Sequence, residues 1–149
     1  MAVTALLRLG KLTDRGDLVA KAERTLQSFA GLMGQHSRAT GQMLLALDFM
    51  LNRPCEIVVI PDDAAASTEE ATAAIRLIRG RFLPNKVVTA RIPNLQRSAT
   101  KGAEPDRVVP LLAGKQSIDR KVSVYICENY SCRAPVVGLD ALTEALRQR

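Results

Sequence analysis

The stretch Glu56–Ile60, EIVVI, decides the fold. Ile57, Val58, Val59 and Ile60 form a continuous β-branched run, bracketed by Pro54 on one side and Pro61-Asp62-Asp63 on the other. A short apolar run without alternation marks a strand covered on both faces. Downstream, Ser67-Thr68-Glu69-Glu70 has the form of a capping box. It opens a helix with Ala71, Ala74, Ile75 and Ile78 on one face and Gly80 near its end. Asn85–Ile92, NKVVTARI, reads as a second strand. A strand, a helix and a strand in that order imply a parallel pair.

Two further pieces complete this half. Lys121–Cys127, KVSVYIC, alternates: Val122, Val124 and Ile126 on one face, Ser123, Tyr125 and Cys127 on the other. An amphipathic helix from about Asp140 directs Leu139, Leu142 and Leu146 inward. Between the second and third strands, Pro93–Arg107 is polar and broken by Pro and Gly, a surface loop. The apolar VVPLLAGK after it is a packed turn or edge piece. The expectation for 54–149 is a three-layered α/β unit with a mainly parallel three-stranded sheet.

Upstream of Pro54 the pattern is helical, giving a separate segment over 1–53. Val3, Leu6, Leu7 and Leu9 share a face, and Gly10 to Gly16 interrupts it. Asp17 is in position to cap a second helix carrying Leu18, Ala22, Leu26, Phe29, Ala30 and Met33. A third helix runs from about Arg38 to Asn52. Its stretch Met43–Leu51, MLLALDFML, is apolar on every side and wants neighbours all round. The first helix begins at Met1 without a capping residue, as if the chain were entered in mid-element. Cover for the third helix must come from the α/β part of the chain, another subunit or a missing piece, and a second copy, or another protein, is expected over Met43–Leu51.

Composition limits the function classes. The chain has 149 residues, 3% aromatics and no tryptophan, so an aromatic platform for stacking bases or sugars is not expected. The net charge of +6 raises the question of a nucleic-acid partner. The basic residues Arg76, Arg79, Arg81, Lys86, Arg91 and Arg97 are spread over a helix, a loop and a strand, however, which favours a solvated basic face. Three cysteines fit a reducing compartment, and the N-terminus lacks the order of a signal peptide; a cytoplasmic location is expected. No apolar run is long enough to span a bilayer.

The candidate chemistry centres on YICENYSCRAP, Tyr125–Pro135. Cys127 and Cys132 stand five positions apart, so their sulfurs meet only if the chain turns between them. Glu128, Asn129, Tyr130 and Ser131 offer that turn. A redox pair and a strand end with two packed sulfurs are both open readings. With three cysteines and His36 alone, no metal site and no cofactor are expected. His36 reads as an exposed loop histidine. Asp62 and Asp63 follow the first strand, where α/β sheets bind ligands, and are possible ligand contacts beside the plainer reading of a turn. Asp48, the lone charge in the third helix, calls for a partner such as Arg53 or Lys11.

YICENYSCRAPV resembles the C-terminal signature of the spermatogenesis-associated protein 20 family: a strand, Cys-Glu-Asn, a pair of residues, Cys, and a proline shortly after. LALDFMLNRPCEIVVI, RFLPNKVV and LLAGK are similar to the family's stretches in the same order. The resemblance implies a thioredoxin-like domain and a six-hairpin α-toroid in longer chains, and it likens this chain to the closing toroid helices plus an appended α/β unit. Pro61 stands where the family's first strand runs into a glycine. The implied role is that of a C-terminal fragment or stand-alone homologue, structural or interaction-mediating, without a complete active site. The alternatives are thiol-redox activity through Cys127 and Cys132 with Glu128, Asn129 and Pro135 shaping the turn, completion of a carbohydrate-acting site, or weak nucleic-acid binding.

Overall fold

The computed structural model describes residues 2–52, 54–62, 67–91, 105–128 and 131–148. The chain divides into two compact units, Met1–Pro54 and Cys55–Arg149.

The first unit holds α1 (Ala2–Thr13), α2 (Gly16–Ser28), α3 (Ala30–Gln35) and α4 (Gly41–Leu51). α1 packs against both α2 and α4 around Leu7, Ala22, Leu26, Ala46 and Phe49. The Arg8 guanidinium lies over the Phe49 ring, 5.6 Å from its centre. Gly10 does not end the first helix as expected, and α1 runs through it to Thr13. The glycine serves packing instead. A Cβ there would stand 2.6 Å from Val19 Cγ2 and 3.1 Å from the Arg15 carbonyl, so its absence lets α2 approach. The turn is made at Asp14, with φ 52°.

Asp17 is likewise not the cap of α2. The helix begins at Gly16, and the Asp17 carboxylate accepts from Arg15 Nε and Nη2 at 3.0 and 2.7 Å. That hydrogen bond holds the Asp17 carboxyl below its ordinary value. In α4, Ala46 and Phe49 are buried, while Leu45 and Leu51 are 59% and 71% exposed.

The second unit contains β1 (Cys55–Ile60), α5 (Ser67–Arg79), β2 (Lys86–Ala90), α6 (Pro105–Val108), a 3₁₀ turn (Pro110–Leu112), β3 (Ser123–Glu128), β4 (Ser131–Cys132), β5 (Val136–Val137) and α7 (Leu139–Arg147). Strand order is β2-β1-β3-β4, with β5 also on β3. β1 and β2 are parallel, joined through α5. β3 runs antiparallel to β1, and β4 and β5 antiparallel to β3.

The sheet is therefore mixed, which corrects the expectation of a mainly parallel one. A parallel return needs a crossover of a dozen or more residues, usually a helix. The described elements between β2 and β3 are only α6, four residues long, and the 3₁₀ turn. The ladder with β1 shows the outcome: β3 enters from the opposite end.

All six β1 residues are buried, as the continuous apolar run requires. Cys55, Ile57 and Val59 join Val122, Val124 and Ile126, Ala71, Ala74 and Ile78 of α5, and Leu142 and Leu146 of α7 in one core. α5 and α7 touch each other on this face. Lys86 Nζ donates to the carbonyls of Ile78 and Arg81 at 2.9 Å each, satisfying acceptors at the C-terminal end of α5.

The opposite side of the sheet carries, among the described residues, the segment from α6 through the 3₁₀ turn to Ile118. The Ile118 amide donates to Ser123 Oγ at 2.9 Å, and Tyr125 Oη donates to the Gln116 carbonyl at 2.8 Å. Arg91 fixes the start of this segment. Its Nη2 donates to both Asp106 carboxylate oxygens at 2.7 and 2.9 Å and to the Leu112 carbonyl at 3.1 Å, while Nη1 reaches the Lys115 carbonyl at 3.1 Å.

The capping-box glutamate has a long-range task. Glu70 Oε2 accepts from the Val122 amide at 3.1 Å, tying the first turn of α5 to the start of β3.

Candidate thiol site

β3 and β4 form a short antiparallel hairpin in which Cys127 stands directly opposite Cys132 and Glu128 opposite Ser131. The Arg133 amide donates to the Ile126 carbonyl at 3.2 Å, just before the cysteine rung. Antiparallel rungs alternate between hydrogen-bonded and non-hydrogen-bonded, so the cysteines occupy a non-hydrogen-bonded rung, where side chains approach most closely. There the two sulfurs are joined, with S–S 2.05 Å and Cα–Cα 3.9 Å.

The two sulfur-bearing residues differ in setting. Cys127 is 1% exposed in the middle of the sheet, whereas Cys132 is exposed on β4. Glu128 is exposed at the end of β3, and Pro135 is half-buried between β4 and β5. Asn129 and Tyr130, expected to shape the turn, lie outside the described residues.

The rung continues across the sheet. Cys127 is the register partner of Glu56 on β1, and Glu56 that of Val87 on β2. The row Val87, Glu56, Cys127, Cys132 therefore lies on the sheet face opposite α5 and α7. Glu56 is fully buried. Sequence reasoning counted it into a strand and passed over it as a site residue. Its signal was a carboxylate at the head of a run read as buried on both faces. The third cysteine, Cys55, is buried on the helix-covered face and is not part of the disulfide.

The other candidates are not drawn into this site. Asp62 follows β1 at its far end, half-buried, with its Oδ1 3.4 Å from the Ser117 hydroxyl that donates to it. Glu56 and Ile60 alone are roughly 13 Å apart at the usual strand rise, and Asp62 lies beyond. Asp63 is outside the described residues. His36 is exposed at the C-terminal end of α3. Asp48 Oδ1 accepts from Asn52 Nδ2 at 2.7 Å, and Arg53, one of its expected partners, is outside the described residues. Among the described residues no group of three His, Cys, Asp or Glu could hold a metal ion. Nor is any described helix long and apolar enough to cross a membrane.

The comparisons place this mixed α/β chain beside one kind of protein. It is similar to spermatogenesis-associated protein 20 from Rattus norvegicus, 27% identical over 143 residues, and to that from Mus musculus, 25% identical over 143 residues. In both cases the match covers 96% of this chain and 17% of the relative. The chain is thus a distant, partial homologue, spanning about a sixth of the relatives' length. No family's sequence model matches it, and no solved structure does.

Proposed function

We propose that this chain is a folded module without a complete active site of its own, whose β3–β4 hairpin is closed and opened by thiol–disulfide exchange. The observation that supports this reading is the cross-strand Cys127–Cys132 bond with one residue buried and the other exposed. An incoming thiolate attacks Cys132 Sγ from solvent, since exchange proceeds by attack on the accessible sulfur. Cys127 leaves as the buried thiol, and a second thiol of the reductant releases Cys132. Reduction leaves the two-residue β4 held by backbone rungs alone and frees the adjoining edge of β3.

The test is thiol counting on the folded chain in buffers of graded dithiol-to-disulfide ratio. Cys127 and Cys132 should gain and lose reactivity together in a reversible two-electron transition, with Cys55 silent throughout. Failure of the pair to form under oxidising conditions, or reduction only on unfolding, overturns the reading.

A second reading is favoured by a separate observation. Leu45 and Leu51 on α4 are exposed, as are Leu9, Phe29 and Leu32 elsewhere in the first unit. These side chains suit docking of another polypeptide, a second copy of the chain in the simplest case. Light scattering across a concentration series tests it: self-association that Leu45→Glu with Leu51→Glu abolishes supports a second copy, and a monomer throughout removes that occupant. Binding of polyanions rests on net charge alone, and nothing in the geometry favours a carbohydrate site.

A further inference from the structure

We infer that Glu56 is the proton-transfer residue for Cys127, giving the proton to its sulfur when the disulfide opens and taking it back when the disulfide closes. The inference rests on the thiol-exchange reading and assigns the group that completes it.

The placement argues for this. Glu56 and Cys127 are register partners on adjacent antiparallel strands, so their side chains leave the same face side by side. Directly opposite residues have Cβ atoms roughly 4.5–5.5 Å apart, within reach of a glutamate carboxyl and a thiol. Both residues are sealed from solvent, at 0% and 1% exposure. Cys132, by contrast, is exposed and exchanges protons with water.

Among the described residues the strands contribute these neighbours to this face. β2 contributes Val87 and Thr89, and β1 contributes Val58 and Ile60. β3 contributes Ser123 and Tyr125, and β4 contributes Cys132. Among the described strand residues Tyr125 is the other titratable side chain there besides the cysteines, with its hydroxyl engaged at Gln116; the segment over this face adds Lys115, 5.8 Å from the Tyr125 ring centre, and the Arg91–Asp106 ion pair. By strand alternation, Cys55, Lys86 and Glu128 belong to the opposite face; Lys86 is bonded to the end of α5. Arg133, one residue past Cys132, is exposed and alternates away from the row.

The chemistry balances with a dithiol as reductant. Its thiolate bonds to Cys132 Sγ, the Cys127–Cys132 bond breaks, and its electron pair passes to Cys127 Sγ, which takes a proton from the Glu56 carboxylic acid. The reductant's second thiolate attacks its own mixed-disulfide sulfur, leaving as a cyclic or protein disulfide and releasing Cys132, which is protonated from water. In the oxidising direction the Glu56 carboxylate accepts the proton of the Cys127 thiol as that sulfur attacks a mixed disulfide at Cys132. A buried thiol becomes a nucleophile only by losing its proton, and here the proton has a partner on the neighbouring strand.

The experiment measures, from about pH 3.5 to about pH 9.5 (roughly the span that holds the ordinary carboxyl and thiol steps), two rates. One is reduction of the bond by dithiothreitol, corrected for the reagent's own thiolate fraction. The other is closure of a glutathione mixed disulfide formed at Cys132. The isosteric variant Glu56→Gln should slow closure roughly 10²-fold, the lower range of general acid–base contributions, and remove a pH-dependent step present in the wild type. Glu56→Asp should restore that step at a reduced rate. Closure in Glu56→Gln at the wild-type rate and with the wild-type profile overturns the role of Glu56 while leaving the exchange reading intact; a wild-type chain that never exchanges overturns both. Should Glu56→Gln fail to fold, difference infrared spectra of the oxidised and reduced wild type decide. A change in carboxylic-acid C=O absorption on reduction that Glu56→Asp shifts supports the proton transfer, and its absence refutes it.

Discussion

Reduction of Cys127–Cys132 should lower thermal stability by an amount set by the loop it closes. The two cysteines are five positions apart, so the bond restricts a very short loop in the unfolded chain. In the chain-entropy relation a loop of that size is worth about 2 kcal/mol at 25 °C. How this translates into a melting temperature depends on what melts together. If Cys55–Arg149 unfolds alone, as a domain of roughly 100 residues, the shift is about 8–16 °C. If the whole 149-residue chain unfolds as one, the larger unfolding entropy halves it to about 4–8 °C. The assay is a calorimetric scan of oxidised protein against protein kept reduced with dithiothreitol, with thiol content measured before and after. Cys132→Ser separates the bond from packing, because Cys132 is exposed while Cys127 stays buried. It should melt with the reduced wild type. Fully reduced and fully oxidised protein melting within about 1 °C of each other would refute the reasoning, because a closed hairpin loop cannot then be restricting the unfolded chain as the formula requires.

Three other perturbations follow from single contacts. Glu70→Ala removes the acceptor of the Val122 amide, a buried position, and should cost about 1–3 kcal/mol in urea unfolding without changing the slope. Arg91→Lys keeps the charge but cannot reproduce the contacts to Asp106, Leu112 and Lys115; amide exchange over 105–118 should accelerate while that of β1 is unchanged. Gly10→Ala drives a methyl against Val19 and should destabilise the first unit by about 1–3 kcal/mol, read by far-UV dichroism on heating.

What the sequence revealed of the fold was whatever is local. The run at β1 and the alternation of β3 announce strands because side-chain period follows backbone geometry over a few residues. The same holds for Ala71, Ala74 and Ile78 on α5 and for Leu142 and Leu146 on α7, all buried where the pattern put them. The direction of β3 was not local. It depends on what the chain does between Ala90 and Ser123, and a strand reads the same in either direction. Gly10 and Asp17 failed for a related reason. Glycine breaks an isolated helix but permits a close helix pair, and an aspartate near a helix start caps it only if no arginine claims the carboxylate first.

The site shows the same division more sharply. Cys127 and Cys132 were recognisable as a pair, yet their joining depended on a rung, and the rung depends on register rather than on spacing. Glu56 was within reach of sequence reasoning in one respect: a run buried on both faces must bury the glutamate that begins it. A buried carboxylate in a strand is a local inconsistency, since charge is expensive to bury and glutamate is a poor strand former. Such inconsistencies concentrate where function or strain compensates them. The residue that turns this one into chemistry, Cys127, stands far along the chain on a strand whose direction was itself unreadable. Had β3 been parallel, the partners of β1 would have run in the opposite order, and nothing would have required Glu56 to face a cysteine. The antiparallel register both corrects the expected sheet and creates the carboxyl–sulfur row, so the thiol proposal and the topology stand on the same hydrogen-bonded ladder.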